Sequence, residues 1–479
     1  MTRRYTLLYY IAAAVLVLCC NVARAQGTGQ AVSSFVAGLD SVVEKLLPRG
    51  GDVGIAVYDL TADASVYSYR ADRNCRPAST MKLVTAIAAL SLPESDEPFR
   101  TEVWHTGSIN DSILHGDLYV VGGFDPEFDD EDMNALVSAV AALPVKKIDG
   151  RILGDVSMKD SLYFGSGWLW DDNPEAYQPY LSPLMLNKGA VHVTATPNAA
   201  GTKASVEATP HSSYYSVVNN TVSRSRQAGT FKLTRDWMHN GNVLTVSGNV
   251  ASRRSADINV HSSANMFMHT FVERLQLAGI ECDVNYGFGV LGTDAQTVAV
   301  CETSMKDVLE QMMKESDNLN AEAVLYRMAA QKSGAKYACA DDGLEVARGI
   351  MRGMGLDPKD YKMADGCGLS MYDYLSPNLL VAFLKYAYAN KNIYDRLYPS
   401  LPVGGVDGTL EHRMKSGTPS YRRVHAKTGT YTGISCLAGY LTTRSGKLIA
   451  FSIMNQNQTV ARDARTLQDA VCDYVVAGY

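Results

Sequence analysis

Arg76-Pro77-Ala78-Ser79-Thr80-Met81-Lys82-Leu83-Val84-Thr85-Ala86 is the stretch from which the rest of the chain can be read. Pro77 is a helix-starting residue, and Met81, Val84, Ala88 and Leu90 give the run after it an apolar face, which predicts Ser79 in the first turn of a buried helix. Lys82 follows three positions later and shares that face. A serine hydroxyl is a weak nucleophile unless a neighbour takes its proton, and a buried lysine does so when desolvation and nearby positive charge lower its pKa. Ser-x-x-Lys on its own is a weak signal, since roughly two matches are expected by chance at this length. A second one, Ser333-Gly334-Ala335-Lys336, is present and reads as a polar helix end.

Met1 to Ala25 has the layout of a secretory signal: Arg3 and Arg4, an apolar run from Leu7 to Cys20, and Ala23-Arg24-Ala25 as the cleavage site. The apolar run is shorter than the ~20 residues that span a bilayer. The expectation is an exported protein of the periplasm or cell envelope with no stable membrane insertion once the signal is removed. Loss of three arginines takes the net charge from −6 to −9, and no basic cluster offsets it, which excludes nucleic acid as the expected partner. Outside the leader stand Cys75, Cys282, Cys301, Cys339, Cys367, Cys436 and Cys472, without C-x-x-C spacing; they read as small buried hydrophobes, with pairing open. The nine histidines have no metal-ligand spacing, and no metal site is expected.

A helical period over Val32 to Leu47 is followed by strands at Val53 to Leu60 and Ser65 to Arg70, then the Ser79 helix. From about Glu97 to about Val298 short strand-like runs between turns predict a β-rich insertion, with one helix over Met266 to Leu277. Helices return at Met305 to Lys314, Ala321 to Lys332, Asp342 to Gly353 and Pro377 to Ala389. Strands at Val424 to Thr430, Ser435 to Thr443 and Lys447 to Asn455 and a helix from Ala461 to Val475 close the chain. The fold class expected is α/β, an antiparallel sheet flanked by helices and interrupted by the insertion.

Two further motifs follow the serine. Ser316-Asp317-Asn318 sits between two helices and Lys427-Thr428-Gly429-Thr430 on the first of the terminal strands; Lys-Thr-Gly occurs once, where about 0.1 is expected by chance. Ser-x-x-Lys, Ser-Asp-Asn and Lys-Thr-Gly in this order are the signature of penicillin-binding proteins and serine β-lactamases. Ser316-Asp317-Asn318-Leu319-Asn320-Ala321-Glu322-Ala323, Asp365-Gly366-Cys367-Gly368-Leu369-Ser370, Gly405-Val406-Asp407-Gly408-Thr409-Leu410, Ala426 to Ile434 and Gly122-Gly123-Phe124-Asp125-Pro126 resemble the penicillin-binding protein 4 type of D-alanyl-D-alanine carboxypeptidase/endopeptidase. The resemblance spans the chain after its leader, and it includes the long insertion that β-lactamases lack.

The resemblance implies a penicillin-binding transpeptidase-type domain from 26–97 and 297–479, with insertion parts at 98–186 plus 262–296 and at 187–261. It implies a serine D,D-peptidase that needs no cofactor, acts on peptidoglycan stem peptides and crosslinks, and is acylated by β-lactams. Ser79 is the implied nucleophile, Lys82 its base, Lys427 the charge that keeps Lys82 neutral, Ser316 the relay to the leaving amine and Asn318 a holder of the substrate amide. The backbone amides of Ser79 and Thr430 form the implied oxyanion hole. Lys427, Thr428 and Thr430 suit the terminal carboxylate, with Gly429 and Thr432 as neighbouring binding positions. Asp172 and Tyr177 match an acidic and an aromatic position of the subsite for the diamino-acid side chain. Met371 stands where an arginine is common, so the peptide is expected to lack a free carboxylate there. Asp365 and Asp407 read as turn formers. Two other readings are a β-lactamase or esterase on the same fold and a non-catalytic wall-binding protein.

Overall fold

The computed structural model describes residues 33–334 and 336–479. The leader expected at residues 1–25 lies outside them. Among the described residues, no helix is long and apolar enough to cross a membrane.

The centre of the molecule is a five-stranded sheet in the order Val424–Tyr431, Ile434–Thr442, Leu448–Gln456, Asp52–Asp59, Ala64–Tyr69, with every neighbouring pair antiparallel. Side chains alternate between its faces. On Ile434–Thr442, Leu437 and Leu441 enter a core with the closing helix Ala461–Gly478 and the helix over 33–46, while Cys436, Ala438 and Tyr440 enter the opposite core. Both faces are therefore covered, which is why the two last strands read as continuous apolar runs rather than alternating ones. The second core holds Met81–Leu90, in which all ten residues are buried, packed against Asn318–Ser333, Ala340–Gly353 and Pro377–Ala389. A helix buried on all sides, apolar but for Lys82 and Thr85, belongs at such a centre.

Between these parts the chain builds a second five-stranded sheet, ordered Tyr286–Phe288, Ile152–Asp155, Leu118–Gly122, Phe99–His105, Gln296–Thr303. Two three-stranded sheets follow: Ser205–Thr209, Ala190–Thr196, Arg254–Asn259, and Ser216–Ser223, Val243–Val250, Lys232–Arg235. The expected return to the first fold at 297 falls inside Gln296–Thr303, which pairs with Phe99–His105 in this insertion sheet.

The insertion also carries a helix the sequence reading passed over, Asp130–Ala141, held by a capping box between Asp129 and Asp132 and burying Met133, Leu136, Val137 and Val140. Lys391–Ser400 is a second such helix, ending just past Pro399. The cysteines after the leader are all unpaired, with Cys75, Cys367, Cys436 and Cys472 buried.

Candidate active site

Ser79 lies in a 3-10 turn, Ala78–Thr80, that runs into Met81–Leu90, so the helix proper begins after the nucleophile rather than at it. Ala78 has φ +45°, a conformation that costs an L residue about 1–2 kcal/mol. Packing holds the turn there. A Cβ on Gly368 would stand 1.9 Å from the Ala78 carbonyl oxygen, and one on Gly429 would stand 2.8 Å from the Pro77 oxygen and 2.9 Å from the Ser79 nitrogen. Two glycines thus let a loop and a strand press on either side of the serine.

The Lys82 ammonium site is fully buried. Its Nζ lies 3.0 Å from Ser79 Oγ, 2.7 Å from Asn318 Oδ1 and 2.8 Å from the Cys367 carbonyl oxygen. The last two groups only accept. They take both N–H bonds of a neutral amine and leave its lone pair for the Ser79 hydroxyl. Burial pulls the Lys82 pKa below that of an ordinary lysine, against the pull of Cys367, Asp365, Asp317 and Glu322.

Lys427, also fully buried, donates to Ser316 Oγ at 2.7 Å and to the Thr428 carbonyl at 2.9 Å. Burial, and then the neighbouring Lys82, push its pKa well down. Two lysines in one dry site cannot both carry charge cheaply.

Ser316 sits at φ +64° after a π-helical turn, Gln311–Glu315, and Asn318 opens the helix Asn318–Ser333. Between them Asp317 caps that helix, its Oδ1 accepting from the Asn320 N–H at 3.0 Å. The three motifs, far apart in sequence, thus meet through Lys82–Asn318 and Lys427–Ser316. Asn318 is engaged at both ends, since its Nδ2 donates to the Tyr177 carbonyl at 2.9 Å.

Along the cleft, Thr428 Oγ1 bonds Thr409 Oγ1 at 2.8 Å, and Thr430 is exposed on the edge strand. Asp172 accepts from the Tyr177 hydroxyl at 2.9 Å and from the Tyr431 hydroxyl at 2.5 Å, so it and Tyr177 do face the motif strand. Tyr431 was not anticipated, although it directly follows the Lys-Thr-Gly-Thr run. Met371 meets its neighbours through its main chain: its oxygen accepts from Arg76 Nε at 3.1 Å and its N–H donates to Gly167 at 3.1 Å. Thr432 is exposed on the turn after Tyr431, and no hydrogen bond of the site among the described residues reaches it.

Behind Lys82 lies a buried acidic group in which Asp365 holds its turn as expected, while the part of Glu322 was passed over by sequence reasoning. Asp365 accepts from the amides of Gly368 and Ser370 at 2.7 Å each and from Trp168 Nε1 at 2.8 Å, which ties its turn to the insertion. Glu322 accepts from the Gly366 N–H at 2.8 Å, while its Oε2 is buried without a partner. Burial, then Asp365, push Glu322 up to about 8. Both Asp365 oxygens and Glu322 Oε1 are thus aimed at amides and an indole N–H, which holds the loop around Cys367 in place. Asp407, for its part, accepts from the Val403 N–H at 2.8 Å and from Lys314 Nζ at 2.7 Å, as a turn former does.

Comparison with known proteins gives the family and the shared fold. Residues 35–476 match the D-Ala-D-Ala carboxypeptidase 3 (S13) family. The chain is 30% identical over 455 residues to a D-alanyl-D-alanine carboxypeptidase of Actinomadura sp., covering 91% of this chain and 84% of the relative. It is 26% identical over 413 residues to the D-alanyl-D-alanine carboxypeptidase DacB of Haemophilus influenzae, covering 85% of each. The crystal structure of penicillin binding protein 4 from that organism superposes with a TM-score of 0.78 at 22% identity, over 91% of this chain and 99% of the other, which shows the shared fold. With nearly its whole described length matched, the chain belongs to the D-Ala-D-Ala carboxypeptidase 3 (S13) family.

Proposed function

We propose that Ser79, Lys82, Ser316, Asn318 and Lys427 carry out the reaction of this family, cleavage of a D-alanyl bond in peptidoglycan through an acyl-Ser79 intermediate. By family the chain is a serine D-Ala-D-Ala carboxypeptidase, a hydrolase. The observation that supports these residues most directly is the fully buried Lys82 Nζ 3.0 Å from Ser79 Oγ, with two groups that only accept as its other neighbours.

In the proposed reaction Ser79 Oγ attacks the carbonyl of the penultimate D-Ala while its proton passes to Lys82. The amides of Ser79 and Thr430 receive the oxyanion, a contribution worth about 2.7–4 kcal/mol per donor in other enzymes. Lys427, Thr428 and Thr430 clamp the terminal carboxylate. The proton returns from Lys82 through Ser316 to the leaving D-alanine nitrogen as the C–N bond breaks, and water then hydrolyses the ester. Asn318 serves here mainly to aim Lys82, since its amide nitrogen must leave the Tyr177 carbonyl before it can reach substrate.

Asp172, framed by two tyrosine hydroxyls, suits the amine end of a diamino-acid side chain, and Met371 supplies no cation for a carboxylate beside it. A relative's structure has been solved with a β-lactam bound, and the same ring is expected to acylate Ser79 here. We further propose export to the periplasm or cell envelope with residues 1–25 as leader, and the division of the chain into a catalytic part and a two-part insertion, with the catalytic part resuming past Thr303.

Intact-mass spectrometry after benzylpenicillin, beside a Ser79→Ala variant, tests this. The expected result is one penicilloyl group on the wild type alone, with D-Ala released from a muropeptide. A wild type that keeps its mass and leaves both compounds intact would overturn it.

A further inference from the structure

The insertion reaches into the motif loop through one side chain. Lys188 lies in the turn Asn187–Gly189, where Asn187 and Lys188 both have positive φ (+47° and +60°), immediately before the insertion strand Ala190–Thr196. Its Nζ lies 2.7 Å from Asp317 Oδ2, 2.7 Å from Glu127 Oε1 and 3.2 Å from Asn320 Oδ1. Glu127 Oε1 also accepts from Asn320 Nδ2 at 2.7 Å, and the same nitrogen donates to the Val308 carbonyl at 3.1 Å.

Asp317 is the residue between Ser316 and Asn318. One of its oxygens caps the helix that begins with Asn318, and the other is held by Lys188. Ser316 stands at φ +64°, a backbone state that persists only when its surroundings enforce it. Without the Lys188 ammonium, Asp317 and Glu127 would face each other across Asn320 as two uncompensated anions. Burial works against a charge on Lys188, but Asp317 and Glu127 outweigh it and hold its pKa above the ordinary lysine value, so it is a cation throughout the working range.

We infer that Lys188 is a positioning residue: from the insertion, it fixes Asp317 and thereby the places of Ser316 and Asn318 against Lys427 and Lys82. The insertion is on this account part of the catalytic apparatus, and not only a wall of the cleft. The effect on turnover rests on the reading of Ser316 and Asn318 given above; the tether itself does not.

Lys188→Met, Lys188→Arg and Glu127→Gln variants test it by three measurements on the full chain. Penicilloyl stoichiometry counts correctly folded sites, D-Ala release per acylable site gives kcat and KM, and hydrogen exchange follows the amides of residues 316–322. Lys188→Met is expected to lower kcat per site about 10- to 100-fold with KM within about threefold, as misplacement of catalytic groups does. Exchange should quicken at 316–322 and not in the central sheet, Lys188→Arg should recover most of the rate, and Glu127→Gln should show the same pattern more weakly. Unchanged exchange at 316–322, or a kcat per site equal to wild type, would overturn the inference. Should Lys188→Met fail to fold, the exchange and rate patterns of Glu127→Gln decide in the same way. A wild type that releases no D-Ala and takes no penicillin would instead refute the catalytic reading, and exchange would still read the tether.

Discussion

In the proposed mechanism Lys82 serves as the base because two carbonyl-type acceptors take its N–H bonds and leave its lone pair for Ser79. Acylation by benzylpenicillin should therefore lose rate on acidification as Lys82 gains a proton, with the limb below the ~10.4 of a free lysine. A stopped-flow pH series that placed the limb at the free-lysine value would contradict that arrangement. Gly429 is the matching backbone requirement. A methyl group there would meet the nitrogen of Ser79, one of the two proposed oxyanion donors, at 2.9 Å. Gly429→Ala is expected to cut the acylation rate about 100-fold or more, equivalent to losing one oxyanion donor, and to lower the melting temperature because the contacts are with backbone. Both residues lie in motifs whose spacing announces them. Glu322, Tyr431 and Lys188 do not, because what makes them matter is a neighbour brought close only by folding.

At the scale of elements, the strands and helices around the three motifs were legible because their apolar periods are strong: the helix Pro377–Ala389 falls where the sequence put it, and the strand Val424–Tyr431 runs one residue past the expected Val424 to Thr430. The insertion was harder to read. Asp130–Ala141 opens with four acidic residues in a row from Asp129, which obscures a four-residue apolar stripe, yet those acids cap the helix and suit its N-terminal dipole. Asp129→Ala should lower stability by about 1 kcal/mol, seen as a drop in urea midpoint, while the benzylpenicillin acylation rate stays at the wild-type value. Gln296–Thr303 misled for another reason. Its residues are half-buried or exposed, and only pairing with Phe99–His105 shows to which sheet it belongs.

For the molecule as a whole, the buried acid behind the site makes stability depend on pH. Glu322 keeps its proton up to about 8 when folded and releases it near 4.5 when unfolded. The folded state therefore binds the extra proton between those values, and its stability falls as pH rises through that window. Glu322→Gln removes the effect. Its gain in unfolding free energy over wild type should be small at pH 5, grow to the order of a few kcal/mol by pH 8, and level off beyond. A gain independent of pH in parallel urea titrations would show that Glu322 is not protonated in the folded protein. The central sheet carries a different kind of consequence. Asp52–Asp59 pairs directly with Leu448–Gln456, so the first strands wait for almost the last residues before they have a neighbour on that side. A chain cut short before Leu448 holds the nucleophile and the motif strand Val424–Tyr431 but lacks the strand that joins that hairpin to Asp52–Asp59. An unfinished copy of this kind is expected to leave the wall uncut, because its motif strand has no sheet to hold it beside Ser79.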